Sequence, residues 1–234
     1  MMMGFDPLYF LFALPGLALA LFASLFVRSR FAHYSKIPSA RGLSGAEAAQ
    51  IMLSRAGVRE VSIEMTHGFL SDHYDPTSRT LRLSPDVYSS TSLAAIGVAC
   101  HEAGHALQHA KGYALLGLRS ALVPATNIGS TLSYVVIMIG FLLQRPQFIL
   151  MGALLFSLVV LFALVTLPVE WDASARAKQH MVMSGIVSPG QERDAGRVLN
   201  AAFLTYLAAA ISSLLTLLYY LMKAGVIGGN RNRD

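Results

Sequence analysis

Phe148 to Leu167 reads FILMGALLFSLVVLFALVTL, twenty residues without a charge. A helix rises about 1.5 Å per residue, so twenty apolar residues cross roughly 30 Å of hydrocarbon. The stretch therefore predicts a transmembrane helix. Leu8 to Val27 and Phe203 to Leu221 are of the same kind, and both are free of charge. Ala121 to Leu143 is weaker, since it holds Pro124, Asn127, Ser130, Thr131 and Ser133, but it too carries no charge. Composition agrees with four spans. The 234 residues are 54% hydrophobic and 13% charged, where soluble domains average about 25% charged. The expected fold class is membrane α-helical, with about four transmembrane helices.

The first span does not read as a cleaved signal peptide. No Lys or Arg precedes Leu8, and no small-residue cleavage site comes before Arg28 and Arg30. Residues 28–120 hold ten Lys and Arg and residues 169–200 hold four, against Arg145 alone between the second and third spans. The positive-inside rule puts these richer segments in the cytoplasm and the N-terminus outside. Lys223, Arg231 and Arg233 run against the rule. The net charge of +5 comes from residues flanking spans. Attraction to anionic lipid explains it without a nucleic-acid partner. Cys100 is the single cysteine, so no intramolecular disulfide forms. It reads as a small buried helix residue.

The expected segments are a first span within 1–27, a small α+β domain at 28–120, a transmembrane hairpin at 121–168, an extramembrane segment at 169–200, and a last span with tail at 201–234. Within 28–120, Ser44-Gly45-Ala46-Glu47 is a capping box opening a helix to about Ala56. Glu60 to Met65 alternates as a half-buried strand does. Phe69 to Tyr74 and Thr80 to Leu83 flank Asp75-Pro76-Thr77-Ser78, a turn, so a β-hairpin is expected. Ser84-Pro85-Asp86 gives an N-cap with Pro at N1, hence a short helix. Ser92 opens a longer one, closed by Lys111-Gly112. Gly228 to Asp234 reads as a disordered tail.

That longer helix carries His101-Glu102-Ala103-Gly104-His105. Histidines four residues apart project from one helix face, so both imidazoles can hold one Zn²⁺ while Glu102 acts as general base toward the attacking water. An open zinc site needs a third protein ligand. Glu170 is the choice, because it follows the third span and four-span topology returns it to the side of residues 28–120. His109 competes, but one straight helix does not wrap three successive turns around a tetrahedral ion. Asp172 is a candidate for fixing the tautomer of a ligand histidine.

The chain resembles the YugP-like neutral zinc metallopeptidases of bacterial membranes. The resemblance is carried by Asp72-His73-Tyr74-Asp75-Pro76, by Leu83 to Tyr88, and by the run from Ala94 through His109. Leu167-Pro168-Val169-Glu170 and Leu199-Asn200-Ala201-Ala202 belong to it as well. More remotely, the order of parts is similar to the membrane-bound HtpX and CAAX-protease group, where a glutamate after later membrane segments is the third ligand. That group places Asp four residues after this glutamate; here Ser174 stands there. The resemblance implies a zincin-like domain between the first two spans and a bacterial inner-membrane, multi-pass location.

The expected function is a zinc-dependent endopeptidase at the cytoplasmic membrane face, acting on polypeptides, membrane proteins among them. His73, Tyr74 and Tyr88 are unranked candidates for the oxyanion donor. Thr80 to Leu83 is a candidate edge strand for pairing with an extended substrate. The alternative is a non-catalytic membrane scaffold with a structural or vestigial metal site. The intact Glu102, which a structural site does not need, argues against it. Cleavage within the membrane is disfavoured because the Leu93 to Cys100 apolar run is only eight residues long.

Overall fold

The computed structural model describes residues 6–68 and 71–228. Among them, seven helices and three short strands follow one another as α1 (Pro7–Tyr34), α2 (Gly45–Arg55), β1 (Ser62–Met65), β2 (His73–Asp75), β3 (Thr80–Leu83), α3 (Pro85–Tyr88), α4 (Leu93–Ala110), α5 (Ala114–Leu142), α6 (Pro146–Met183) and α7 (Pro189–Lys223). The helices α1, α5, α6 and α7 are each long and apolar enough to cross a membrane. All four expected spans are thus helical. The helices outrun the apolar stretches that signal them: α6 continues sixteen residues past Leu167.

Two compact units make up the chain. One comprises Met1–Phe22, Leu118–Leu167 and Tyr206–Asp234. Its helices meet through small residues, as helices in lipid do. A Cβ on Gly16 would lie 2.8 Å from Ser212 Oγ, and one on Gly152 would lie 3.1 Å from Ser133 O. The Ser133 hydroxyl donates to Gly152 O at 2.8 Å. Asp6 accepts from Tyr219 at 2.8 Å and pairs with Lys223 at 2.6 Å, tying the ends of α1 and α7. Leu11, Ile128, Leu142 and Leu154 are exposed, as side chains facing hydrocarbon should be.

The other unit comprises Ala23–Gly117 and Pro168–Thr205. Helix α4 is its centre, and fourteen of its eighteen residues are buried. The Ser92 hydroxyl accepts from Ala95 N–H to cap its start, and Gly112, at φ +62°, ends it. The Ser44–Glu47 capping box forms as expected at the start of α2. Leu81 and Leu83 of β3, Met52 and Leu53 of α2, and Ile96 and Leu107 of α4 share one fully enclosed core with Ala177 and Met181 of α6 and Val198 of α7.

The sheet has the order β1-β3-β2. Strand β3 pairs in parallel with β1, Ile63 opposite Leu81, and antiparallel with β2, Tyr74 opposite Leu81. The expected hairpin is present. Asp75 Oδ1 accepts from Thr77 N–H at 2.9 Å, and Arg82 donates to its other oxygen at 2.9 Å. One expectation is corrected. Thr80 to Leu83 is the central strand, with both its edges taken, so no extended peptide adds to it. Ser84 is the N-cap of α3 with Pro85 in its first turn, as expected; its N–H and hydroxyl donate to Asp72 at 2.7 and 3.0 Å, joining the base of the hairpin. Of the stretch expected as the first arm, only His73 and Tyr74 are strand; Phe69 and Leu70 lie outside the described residues, as do 229–234 of the tail.

Candidate metal centre

Every residue of this centre lies in the second unit. His101 and His105 sit one turn apart on α4, with ring centroids 4.8 Å apart. Glu170 comes from α6, and its Oε2 lies 3.1 Å from His101 Nε2 and 3.5 Å from His105 Nε2. One donor atom from each of the three residues falls within 4.8 Å of the others. Glu170 is 1% exposed and His105 6%. A carboxylate is not left in such a place without strong partners.

Glycine makes the approach of the two helices achievable. A Cβ at Gly104 would stand 2.4 Å from the carbonyl oxygen of Ala173 on α6. Gly104, between the two histidines, is therefore where α4 touches the α6 backbone. That contact sets Glu170, less than one turn before Ala173, against the imidazoles.

The far side of each imidazole is also held. Gln108 is fully buried. Its Nε2 donates to Val169 O and to Asp172 Oδ2, both at 2.8 Å. The amide oxygen is thereby turned to His105 Nδ1, 3.0 Å away. An amide oxygen only accepts, so Nδ1 of His105 carries a proton, and in the neutral ring Nε2 is the nitrogen with a lone pair to offer. On His101, Ser174 Oγ lies 3.1 Å from Nδ1. Burial alone would push the His105 imidazole down; the hydrogen bond and charge of Glu170, with the charge of Glu102 and the Gln108 hydrogen bond, together raise it above its ordinary value.

The remaining candidates from the sequence divide clearly. Glu102 is 8% exposed and makes no hydrogen bond to any described residue. Asp172 does not touch a histidine directly; it acts on His105 through Gln108 and is itself gripped by Arg176 at 2.5 Å. His109 is absent from the metal group; its Nδ1 meets the Tyr74 hydroxyl at 2.8 Å. His73 Nδ1 turns to Ser71 O at 2.8 Å, and Tyr88 packs against the core. Cys100 is buried, and burial pushes its thiol well above the ordinary range. Gln108 and Ser174 were not singled out for these roles, although Ser174 holds the position where the HtpX group has Asp.

The donor set fits zinc. Two imidazole nitrogens and one carboxylate oxygen form a common catalytic zinc set. Ligands at about 2.0–2.1 Å around a tetrahedral ion lie roughly 3.3 Å from one another, and the two nitrogen–oxygen separations here are 3.1 and 3.5 Å.

A family model described as "putative neutral zinc metallopeptidase" matches residues 9–225. The chain belongs to this family. The "putative membrane protease YugP" of Bacillus subtilis (strain 168) is 43% identical over 215 residues, which is 92% of this chain and 96% of that protein. No solved structure matches. The metallopeptidase family implies zinc, and this chain gathers His101, His105 and Glu170 into a group able to hold a metal ion. With its four membrane-length apolar helices and its similarity to a membrane protease, it is a multi-pass membrane protein.

Proposed function

We propose that this protein is a membrane-bound zinc endopeptidase with its active site at the cytoplasmic membrane face. The observation that carries the reading is the convergence of His101 Nε2, His105 Nε2 and Glu170 Oε2 beside Glu102, which is buried and makes no side-chain hydrogen bond among the described residues. His101, His105 and Glu170 hold the ion, and residues 28–120 act as a zincin-like domain between the first two spans. Bound zinc supplies Lewis acidity, which activates water and polarises a carbonyl.

Glu102 takes the proton of the attacking water and hands it to the leaving amine; groups in this role contribute typically 10²–10⁴-fold. Gln108 keeps the proton of His105 on Nδ1, so that Nε2 stays a ligand. The Lys and Arg bias of residues 28–120 and 169–200 supports the cytoplasmic side. Glu170 stands three residues past the third apolar stretch. This nearness in the chain favours polypeptides at the bilayer surface, membrane proteins among them, as substrates.

The test is the Glu102→Gln variant, purified in detergent with the wild type and assayed on fluorescent casein. The expected result is unchanged zinc content with cleavage reduced at least about 100-fold. Equal cleavage by both proteins would remove Glu102 from the mechanism.

A further inference from the structure

The centre accounts for one face of α4 but not for the cavity along the second half of that helix. This cavity has a volume of about 510 Å³, within the range of ligand sites. Val58, Val61, Ala106 and Ala110 supply apolar wall, and Arg59, Arg79, Tyr74 and His109 supply polar groups. None of His101, His105 or Glu170 lines it. It shares α4 with them, and helix geometry fixes the relation. Glu102 and His109 are seven positions apart, a rise of about 10.5 Å with a rotation of only about 20° from the same face. Ala106, between them on that stripe, also lines the cavity. An extended peptide covers this distance in about three residues.

The charge in the cavity is unbalanced. Arg79 is paired with Glu60, which also lines the wall. Arg59 has no carboxylate partner among the described residues. Tyr74 gives its hydroxyl to the His109 contact, and burial pushes that hydroxyl up, so it stays a neutral partner. His109 Nε2 makes no hydrogen bond to any described residue. One guanidinium and one imidazole nitrogen are thus unengaged over an apolar floor.

We infer that this cavity is a substrate subsite that takes a carboxylate about three residues from the scissile bond, with Arg59 as the recognising group. The carboxylate comes from a Glu or Asp side chain or from the C-terminus of the polypeptide. The subsite presupposes the endopeptidase reading of the same site. Arg59 offers a planar fork that grips both carboxylate oxygens, a geometry the uncharged amide isostere does not match.

The experiment measures binding to the full-length Glu102→Gln protein in detergent with zinc present, so that cleavage does not intervene. The probes are fluorescein-labelled dodecapeptides that differ only by Glu or Gln at one internal position, each made as free acid and as C-terminal amide. Fluorescence anisotropy gives the affinities. The Glu peptides, the free acids, or both are expected to bind about tenfold tighter than their uncharged partners. Whichever pair differs names the source of the carboxylate. Arg59→Glu is expected to invert the preference, with the thermal unfolding midpoint checked to show that the fold is intact. Equal affinities within every pair, or a preference that survives Arg59→Glu, would overturn the subsite. Those outcomes leave the proteolysis reading standing, because casein cleavage and its dependence on Glu102 are measured separately.

Discussion

Gln108 sets the tautomer of His105. Its amide nitrogen is committed to Val169 O and Asp172, and its oxygen meets His105 Nδ1 at 3.0 Å. The consequence is a histidine whose Nε2 is aimed at Glu170 and held there from behind. Partners of this kind typically contribute 10–100-fold to metal affinity.

Gln108→Leu keeps the volume and removes all three hydrogen bonds. Zinc affinity, read by competition with a chromophoric chelator, is expected to fall 10–100-fold. The buried Val169 carbonyl and Asp172 lose a donor, so stability is expected to fall by about 1–3 kcal/mol. Unchanged zinc affinity would show that the amide does not orient the ligand.

Ser174 plays the matching part for His101, through a contact of 3.1 Å at Nδ1. A carboxylate acceptor makes a bond roughly twice as strong as a neutral one. Zinc affinity is therefore expected to rank Ser174→Asp above wild type and wild type above Ser174→Ala, measured by the same competition. Three equal affinities would contradict the role.

Gly104 is where α4 meets the backbone of α6, with only 2.4 Å between a notional Cβ and Ala173 O. A carbonyl in a helix does not give way as a side-chain end does. Gly104→Ala is expected to cost about 1–3 kcal/mol or more through overpacking and to lower the zinc content by parting Glu170 from the histidines. Gly117 is the control, since a Cβ there meets nothing within 4 Å. Gly117→Ala is expected to be neutral or to stabilise by up to ~1 kcal/mol, because alanine is the better helix former. Thermal unfolding in detergent and elemental analysis check both variants, and equal behaviour of the two would contradict the packing account.

What the sequence made legible was what depends on neighbours in the chain. The uncharged run Phe148 to Leu167, the Ser44–Glu47 capping box, the Asp75 turn and the spacing of His101 and His105 each declare themselves locally. Glu170 was reached by topology, and the structure brings it to 3.1 Å from His101. The supports of the site were not legible. Gln108 meets Asp172 64 positions away, and Ser174 meets His101 73 positions away. No periodicity encodes such a pairing. Strand β3 was misjudged for the same reason. Its antiparallel partner follows from a tight turn, but its parallel partner β1 lies eighteen positions upstream in register, across a connection that itself contains β2.

The central claim is that Glu170 completes a three-ligand zinc site with His101 and His105. Its most direct test is the zinc content, by elemental analysis, of detergent-purified wild type beside Glu170→Ala. The predicted result is about one zinc per wild-type chain, as one three-ligand site requires, and loss of that zinc in the variant. Zinc retained at wild-type stoichiometry by Glu170→Ala, or no zinc in either protein, would contradict it.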